Sequence, residues 1–272
     1  MKVLIHQPNR VLATVSRYQR LVTTFSNWPL HLAAKWGWLG QRLIILKTRS
    51  GWEIEVPCQL RHTLKEIFLY HTYVHREILA DLPEKPVVID VGGNVGFFSL
   101  FALHLRPQAR CFTFEPVTGN FSQLQKNQRR NPRADWHIFH AAVAGQDGAV
   151  QISSPTGQDL VTDASIKRPG RPAARSAGVS ETVQACALQT IFEREGISHC
   201  DWLKLDCEGA EYEILYNAPS ALFDRISCIT METHFGDGSR NNTGAVADYL
   251  EGRGYNVWVG GDVIYAMKAA CD

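Results

Sequence analysis

One stretch limits what this chain can fold into: Pro86-Val-Val-Ile-Asp-Val-Gly-Gly-Asn-Val-Gly-Phe-Phe-Ser-Leu100. Val87 to Asp90 is a short β-branched apolar run without period-2 alternation, the pattern of a parallel strand buried on both faces. Gly92, Gly93 and Gly96 then carry the chain through a tight turn. From Val95 an apolar stripe of Phe98, Phe101, Ala102 and Leu105 marks a helix. A strand, a glycine turn and a helix N-terminus form a nucleotide-cradling unit, since glycine lets the backbone approach a ligand.

The spacing selects among nucleotides. A dinucleotide fingerprint needs G-x-G-x-x-G, and the position of its first glycine is occupied by Val91. The pattern is instead Asp-x-Gly-x-x-x-Gly, with Asp90 before the turn and Asn94 inside it. A pyrophosphate wants bare N–H groups, whereas an amino-acid sulfonium also wants a carboxylate, and Asp90 supplies one. Glu115 closes the next strand, Arg110 to Phe114, 19 residues beyond Gly96. That is the offset at which an acidic side chain reaches ribose hydroxyls.

Composition sets the outer bounds. The 272 residues are 45% hydrophobic and 20% charged with a formal net charge of +1, so nothing global argues for nucleic acid as a partner. Seven cysteines without a C-x-x-C read as free thiols in a reducing compartment. With no secretory h-region and no run of 18 apolar residues, a cytoplasmic protein without a membrane span is expected.

Along the chain, residues 1–82 read as an N-terminal unit: an amphipathic helical arm, a β-hairpin (Leu43–Leu46 with Trp52–Val56) and a helix over 60–80. The arm, with Trp28, Trp36 and Trp38, packs on the core or on a second subunit, which makes a homodimer an expectation. An interfacial membrane helix is the less favoured alternative, because its basic face is thin. His62, His71, Tyr73, His75 and Arg76 are candidates for a substrate mouth. Lys126, Arg129, Arg130 and Arg133 read as a solvated helix face.

From 83 to 272 strands and helices alternate, implying βαβ units and a parallel sheet. The third strand is expected from Trp136 to Val143, its end offering Ala142 to a flat adenine. The stretch 154–180, rich in Pro, Gly, Ala and Ser and carrying Lys167, Arg168, Arg171 and Arg175, reads as a mobile lid or an insertion. Its charge hints at an anionic group on the small-molecule substrate. Tyr255–Val259 and Val263–Met267 form a terminal antiparallel hairpin, an ending foreign to doubly wound dinucleotide enzymes.

Six segments carry a resemblance: DVGGNVGFFSL (90–100), FEPVTGNFSQLQKN (114–127), HAAVA (140–144), LQTIF (188–192), LKLDCEGAE (203–211) and METH (231–234). In order and spacing the chain resembles S-adenosylmethionine-dependent methyltransferases of the FkbM type, and 63–78 resembles the segment preceding that family's core. The resemblance implies a Rossmann-like class I α/β fold, a mostly parallel seven-stranded sheet with an antiparallel last strand. It also implies methyl transfer by in-line displacement from a sulfonium, O-methylation of a small-molecule hydroxyl above all.

Asp90, Gly92, Gly93, Asn94, Gly96, Phe97 and Ser99 would then hold the methionine side of the cofactor. Glu115, Pro116, Asn120 and Ala142 would hold the adenosine, with Asp206 between. His234 would be the general base, with Asp206, Glu208 and Glu232 orienting it and the acceptor. No metal ligand is assigned, although these carboxylates and the imidazole could together coordinate Mg²⁺ or Mn²⁺. An amine acceptor and a nicotinamide oxidoreductase are the competing readings.

Overall fold

The computed structural model describes residues 3–4, 10–40, 42–154, 160–161, 165–166, 179–234 and 239–269. A two-residue strand β1 (Val3–Leu4) precedes helices α1 (Arg10–Thr24) and α2 (Pro29–Lys35). The expected hairpin follows as β2 (Ile44–Lys47) and β3 (Glu53–Val56).

The helix expected over 60–80 is interrupted. α3 (Arg61–Lys65) runs into a π-helical turn at Glu66–Tyr70, His71 takes left-handed backbone (φ 58°), and helix resumes only at α4 (Arg76–Asp81). Both the backbone N–H and the hydroxyl of Thr72 bond to the carbonyl of Glu66 at 3.0 Å. The break buries Tyr73, and π-turns of this kind recur at functional sites.

The alternating half opens with β4 (Val87–Val91), α5 (Phe97–Leu105), β5 (Arg110–Phe114), α6 (Thr118–Arg130) and β6 (Asp135–Phe139). β7 (Ala142–Ala144), β8 (Gly148–Ser154), β9 (Ser165–Ile166) and β10 (Val179–Ala187) come next. The chain finishes with α7 (Leu188–Arg194), β11 (Cys200–Leu205), α8 (Glu211–Asn217), β12 (Ile226–Glu232), α9 (Thr243–Glu251), β13 (Tyr255–Gly260) and β14 (Val263–Lys268).

The main sheet runs β13-β14-β12-β11-β4-β5-β6, with β14 antiparallel to both neighbours and the rest parallel. This is the expected seven-stranded Rossmann-like sheet, and β1 adds an eighth strand parallel to β13. Strand order reverses between β4 and β11, so their carboxyl ends open the crevice where ligands of such sheets bind. Alternate residues serve two cores. Val88, Cys111, Trp136 and Trp202 face the layer holding Phe68, Phe98 and the hairpin, while Ile89, Phe112, Leu203 and Ile229 face α7, α8 and α9. Burial on both faces is why the strands lack alternation in sequence.

Two expectations change here. Ala142 and Val143 do not end the third strand: β6 stops at Phe139, and β7 joins a separate sheet of order β7-β10-β8-β9. Nor is the basic face of α6 simply solvated. Arg130 pairs with Glu55 at 2.6 Å and Arg133 lies 4.6 Å over the ring of Trp52.

Asn127 of α6 and Asn131 just past its end clasp the edge of β3. Asn127 Oδ1 accepts from Glu55 N–H at 2.7 Å, and Asn131 Oδ1 accepts from Glu53 N–H at 2.9 Å. Asn131 Nδ2 returns a bond to the Glu53 carbonyl at 2.8 Å, while Asn127 Nδ2 reaches the carbonyl of Val95 at 2.8 Å. The six described cysteines are all free, and Cys271 lies outside the described residues.

Candidate active site

Beyond the ends of β4, β5, β11 and β12 lies a cavity lined by Gly92, Gly93, Asn94, Phe97, Glu115, Pro116, Asn120 and Ala142 at one end. Asp206, Glu208, Glu232 and His234 line the other end with Thr63, Glu66, Ile67, Thr72 and Tyr73. Most residues expected at a site therefore meet in one crevice. Asp90, Gly96 and Ser99 do not line it. Asp90 is fully buried behind the wall, where its carboxylate accepts the Ser99 hydroxyl at 2.8 Å and pairs with Lys204 Nζ at 3.2 Å. The Ser99 hydroxyl lies 2.6 Å from that of Thr113, which takes the Trp136 indole N–H at 2.7 Å. A strand interior leaves Asp90 no route to solvent, so its charge is spent on Lys204.

The glycines are needed for a reason other than ligand approach. A Cβ on Gly92, whose φ is +70°, would lie 1.7 Å from the backbone carbonyl oxygen of Asp206. On Gly96 it would meet Leu124 and Trp136 at 2.6 Å. The turn is pressed against the rest of the protein, and only glycine fits.

At the first end Glu115 is buried, and burial raises its pKa to about 7 against the opposing pull of backbone donors. Its two oxygens accept the N–H groups of Asn94 and Val117, each at 2.8 Å. Those bonds fix the carboxylate while leaving lone pairs free. Asn94 has left-handed backbone (φ 50°), and its buried Oδ1 has no partner among the described residues. Asn120 holds the backbone of Val161 in both directions, at 2.8 and 3.0 Å, and Asn94 Nδ2 reaches the same carbonyl at 2.8 Å. Val161 packs with Val117, Ala142 and Ile152, an apolar slot for a flat ring. Of 154–180, Val161 is thus tied to this end, while the basic residues Lys167, Arg168, Arg171 and Arg175 lie outside the described residues.

At the other end Lys204 and Glu211 were not expected from sequence, and Tyr73 was expected only as one of several mouth candidates. Lys204 is buried; burial would lower its pKa, but the charges of Asp90 and Asp206 outweigh that and raise it. Its ammonium lies 3.5 Å from Asp206 and donates to the carbonyl of Gly92 at 2.8 Å. Tyr73 points its hydroxyl at Asp206 Oδ2 and Glu232 Oε2, both at 2.8 Å. Glu211 is 0% exposed and accepts backbone N–H groups from Cys207 and Gly209 at 2.9 and 2.8 Å. It also binds His234 Nδ1 at 2.9 Å, while His234 Nε2 lies 3.5 Å from Glu208.

Burial alone would lower the His234 pKa, but the bond to Glu211 and the charges of Glu211, Glu208 and Asp206 raise it to about 9. The imidazole is therefore protonated at neutral pH, not poised near 6.5 as the isolated side chain would be. Glu232 is pushed up by burial and then by the Asp206 charge. Of the candidate mouth residues, Tyr73 lines the cavity. His71 packs edge-on to Phe101, His75 stacks on Trp258 at 4.4 Å, His62 pairs with Glu66, and Arg76 pairs with Glu77.

Asp206, Glu211 and His234 offer ligand atoms within 4.8 Å of one another. The donor set does not suit a divalent cation, because Lys204 and Tyr73 already hold Asp206, and two backbone N–H groups and His234 hold Glu211. A methionine-linked nucleoside fits better. The open lone pairs of Glu115, the unpartnered Asn94 Oδ1 and the slot at Ala142 match its ribose, polar groups and ring.

Comparison with known proteins agrees with this geometry. A family model described as the methyltransferase FkbM domain matches residues 90–257. Methyltransferase sdnD of Sordaria araneosa is 25% identical over 71% of this chain and 81% of its own length. The 31-O-demethyl-FK506 methyltransferase FkbM of Streptomyces tacrolimicus is 26% identical over 74% of this chain and 84% of its own. The 2-O-methyltransferase NoeI of Sinorhizobium fredii (strain NBRC 101917 / NGR234) is 25% identical over 55% and 64%. The nicotinamide alternative is set aside on these findings, since the matched segment contains both the glycine turn and the acidic end of the cavity: the chain belongs to the FkbM methyltransferase family.

Proposed function

We propose that this protein is an S-adenosylmethionine-dependent O-methyltransferase acting on a hydroxyl of a small molecule. The relatives named for O-methyl chemistry support oxygen over nitrogen as the acceptor atom. The bound cofactor supplies an electrophilic methyl group on a sulfonium. Glu115 takes the ribose hydroxyls, Asn94 and the Gly92–Gly93 backbone take the methionine side, and Val161 and Ala142 enclose the adenine. The acceptor lies among Tyr73, Asp206, Glu232 and His234. The acids Glu66, Asp206, Glu208 and Glu232 outnumber the cations Lys204 and His234 at that end, which favours a neutral hydroxylated acceptor over an anionic one.

The observation that carries the mechanism is the Glu211–His234 pair at 2.9 Å. A carboxylate anchored by two backbone donors sets the imidazole with Nδ1 occupied, leaving Nε2 to take the acceptor's proton. The same carboxylates make His234 a strong base that must first lose its own proton. The raised pKa also favours a second reading, in which Asp206 accepts the proton and His234 serves as a fixed cation. In either case residues 1–82 act as a cap on the catalytic unit 83–272, and no helix among the described residues is long and apolar enough to cross a membrane.

Calorimetry with S-adenosylhomocysteine and with NAD, followed by a mass-spectrometric screen for a CH₂ gain over a panel of hydroxylated metabolites, tests the assignment. Binding of the first ligand alone and a methylated alcohol are expected. NAD binding, or methylated amines only, would overturn it. His234→Ala should leave cofactor affinity nearly intact and lower turnover on the order of a hundredfold.

A further inference from the structure

The charge of this chain is divided unevenly. Residues 1–52 contain eight Lys and Arg and no Asp or Glu, whereas the remaining 220 contain twenty and twenty-seven. The near-neutral total therefore hides a strongly basic N-terminal arm on an acidic body. The arm also holds the exposed apolar surface. Seven large hydrophobic side chains are exposed among the described residues, and all lie between positions 15 and 70. Trp38 is 75% exposed, Val15 59% and Trp36 58%.

These groups are joined. On α1 the exposed Val15, Tyr18 and Val22 recur at helical spacing as a stripe beside the buried Leu21. Lys35 donates to the Tyr18 hydroxyl at 2.6 Å and is followed by Trp36, whose ring lies 5.3 Å from that of Trp38. On the other side Arg17 lies 5.0 Å over the Tyr18 ring and donates to the Tyr70 hydroxyl at 3.2 Å. Arg20 donates to the carbonyl of Leu69 and Arg49 to that of Val22, at 2.9 and 3.0 Å, whereas Lys47 pairs with Glu53 at 2.7 Å. The charge is displayed to solvent alongside aromatic and aliphatic side chains.

From this we infer that the N-terminal arm docks the enzyme on an anionic lipid bilayer, its tryptophans and valines entering the headgroup boundary and its Lys and Arg meeting lipid phosphates. Tryptophan and tyrosine favour that boundary because each has an apolar body and a polar tip, and arginine and lysine snorkel to it. Basic residues there gain from the negative surface potential. A thin basic face on α1 alone argued against such docking, but the fold adds Lys35, Arg42 and Arg49 from outside the helix, all exposed. A second copy of the chain fits less well. A two-fold contact through this face sets the basic arms against each other, and like charges at an interface are costly. Nucleic acid would use the cations but not Val15 and Val22. The docked face also borders the crevice, since the segment that turns Tyr70 outward lines it with Thr63, Glu66 and Ile67.

The test is co-sedimentation of the full chain with vesicles of equal parts phosphatidylglycerol and phosphatidylcholine, and with pure phosphatidylcholine. The protein is expected to pellet with the anionic vesicles, to be partly released by salt, and to show a tryptophan emission shift. The double variant Trp36→Ser with Trp38→Ser should bind at least about tenfold more weakly, with S-adenosylhomocysteine affinity and melting temperature unchanged. Absence of vesicle binding, equal binding by the double variant, or a dimer in analytical ultracentrifugation that the double variant dissociates would each overturn the inference. None of these readouts depends on methyl transfer.

Discussion

Tyr73 places its hydroxyl 2.8 Å from Oδ2 of Asp206, a residue 133 positions further along the chain. The same hydroxyl lies 2.8 Å from Glu232, and one hydrogen cannot serve both oxygens. The second short contact requires a proton on a carboxyl group, consistent with the raised pKa of Glu232. Tyr73→Phe removes the hydroxyl that bridges the two carboxyl groups. We expect kcat/KM to fall ~10- to 100-fold while S-adenosylhomocysteine binds within about twofold of the parent. Steady-state kinetics and calorimetry check both, and an unaltered kcat/KM would remove Tyr73 from the site.

His234 predicts a pH dependence. Its folded-state pKa of about 9 lies above the 6.5 of an unperturbed histidine. Its pairing with Glu211 therefore stabilises the fold fully below about 6.5 and is lost as pH rises through about 9. Melting temperature measured between those limits should fall with pH in the parent more than in His234→Gln. If the imidazole is the base, kcat/KM climbs toward pH 9. A profile already flat from pH 7 assigns the proton to Asp206.

Cofactor affinity should depend on Glu115. Because burial raises its pKa to about 7, its carboxyl ionises near neutrality, and binding of S-adenosylhomocysteine should tighten as pH rises through that value. Glu115→Gln swaps an acceptor oxygen for an amide donor facing the ribose and a backbone N–H, so affinity should drop at least about tenfold. Calorimetry at pH 6 and 8 reads both effects; a pH-independent Kd contradicts the ribose assignment.

Gly92→Ala should destabilise the protein by about 2–4 kcal/mol, combining left-handed backbone with an overlap that neither strand end can relieve. Denaturant titration measures it. A loss below about 1 kcal/mol would mean that the turn can shift away from Asp206.

The sheet was legible because its strands are short, β-branched and bounded by turn residues. That Asn94, Glu115 and Asn120 would line one crevice was legible because they sit at fixed offsets from one glycine turn. Asp90 misled for a physical reason: an acid at a strand end reads as ligand-facing, and only the buried Lys204 on the neighbouring strand shows where its charge goes. Tyr73 stood out only as one of a polar cluster, since nothing local reveals that a π-turn breaks the helix there and turns it inward. Glu211 was hidden in a helix's first turn, where an acid ordinarily serves the dipole. Its pairing with His234 depends on two strands meeting. Ala142 kept its place beside the cavity although its strand changed sheets.

Asn127 bonds both to the β3 hairpin and to the carbonyl of Val95 beneath the glycine turn. Deleting the first sixty residues to obtain a shorter catalytic fragment would therefore unsettle the floor of the crevice, although the hairpin does not itself line it. The hairpin is thus a support for the crevice, and a fragment lacking it should be judged by whether it holds S-adenosylhomocysteine before its silence toward any alcohol is interpreted.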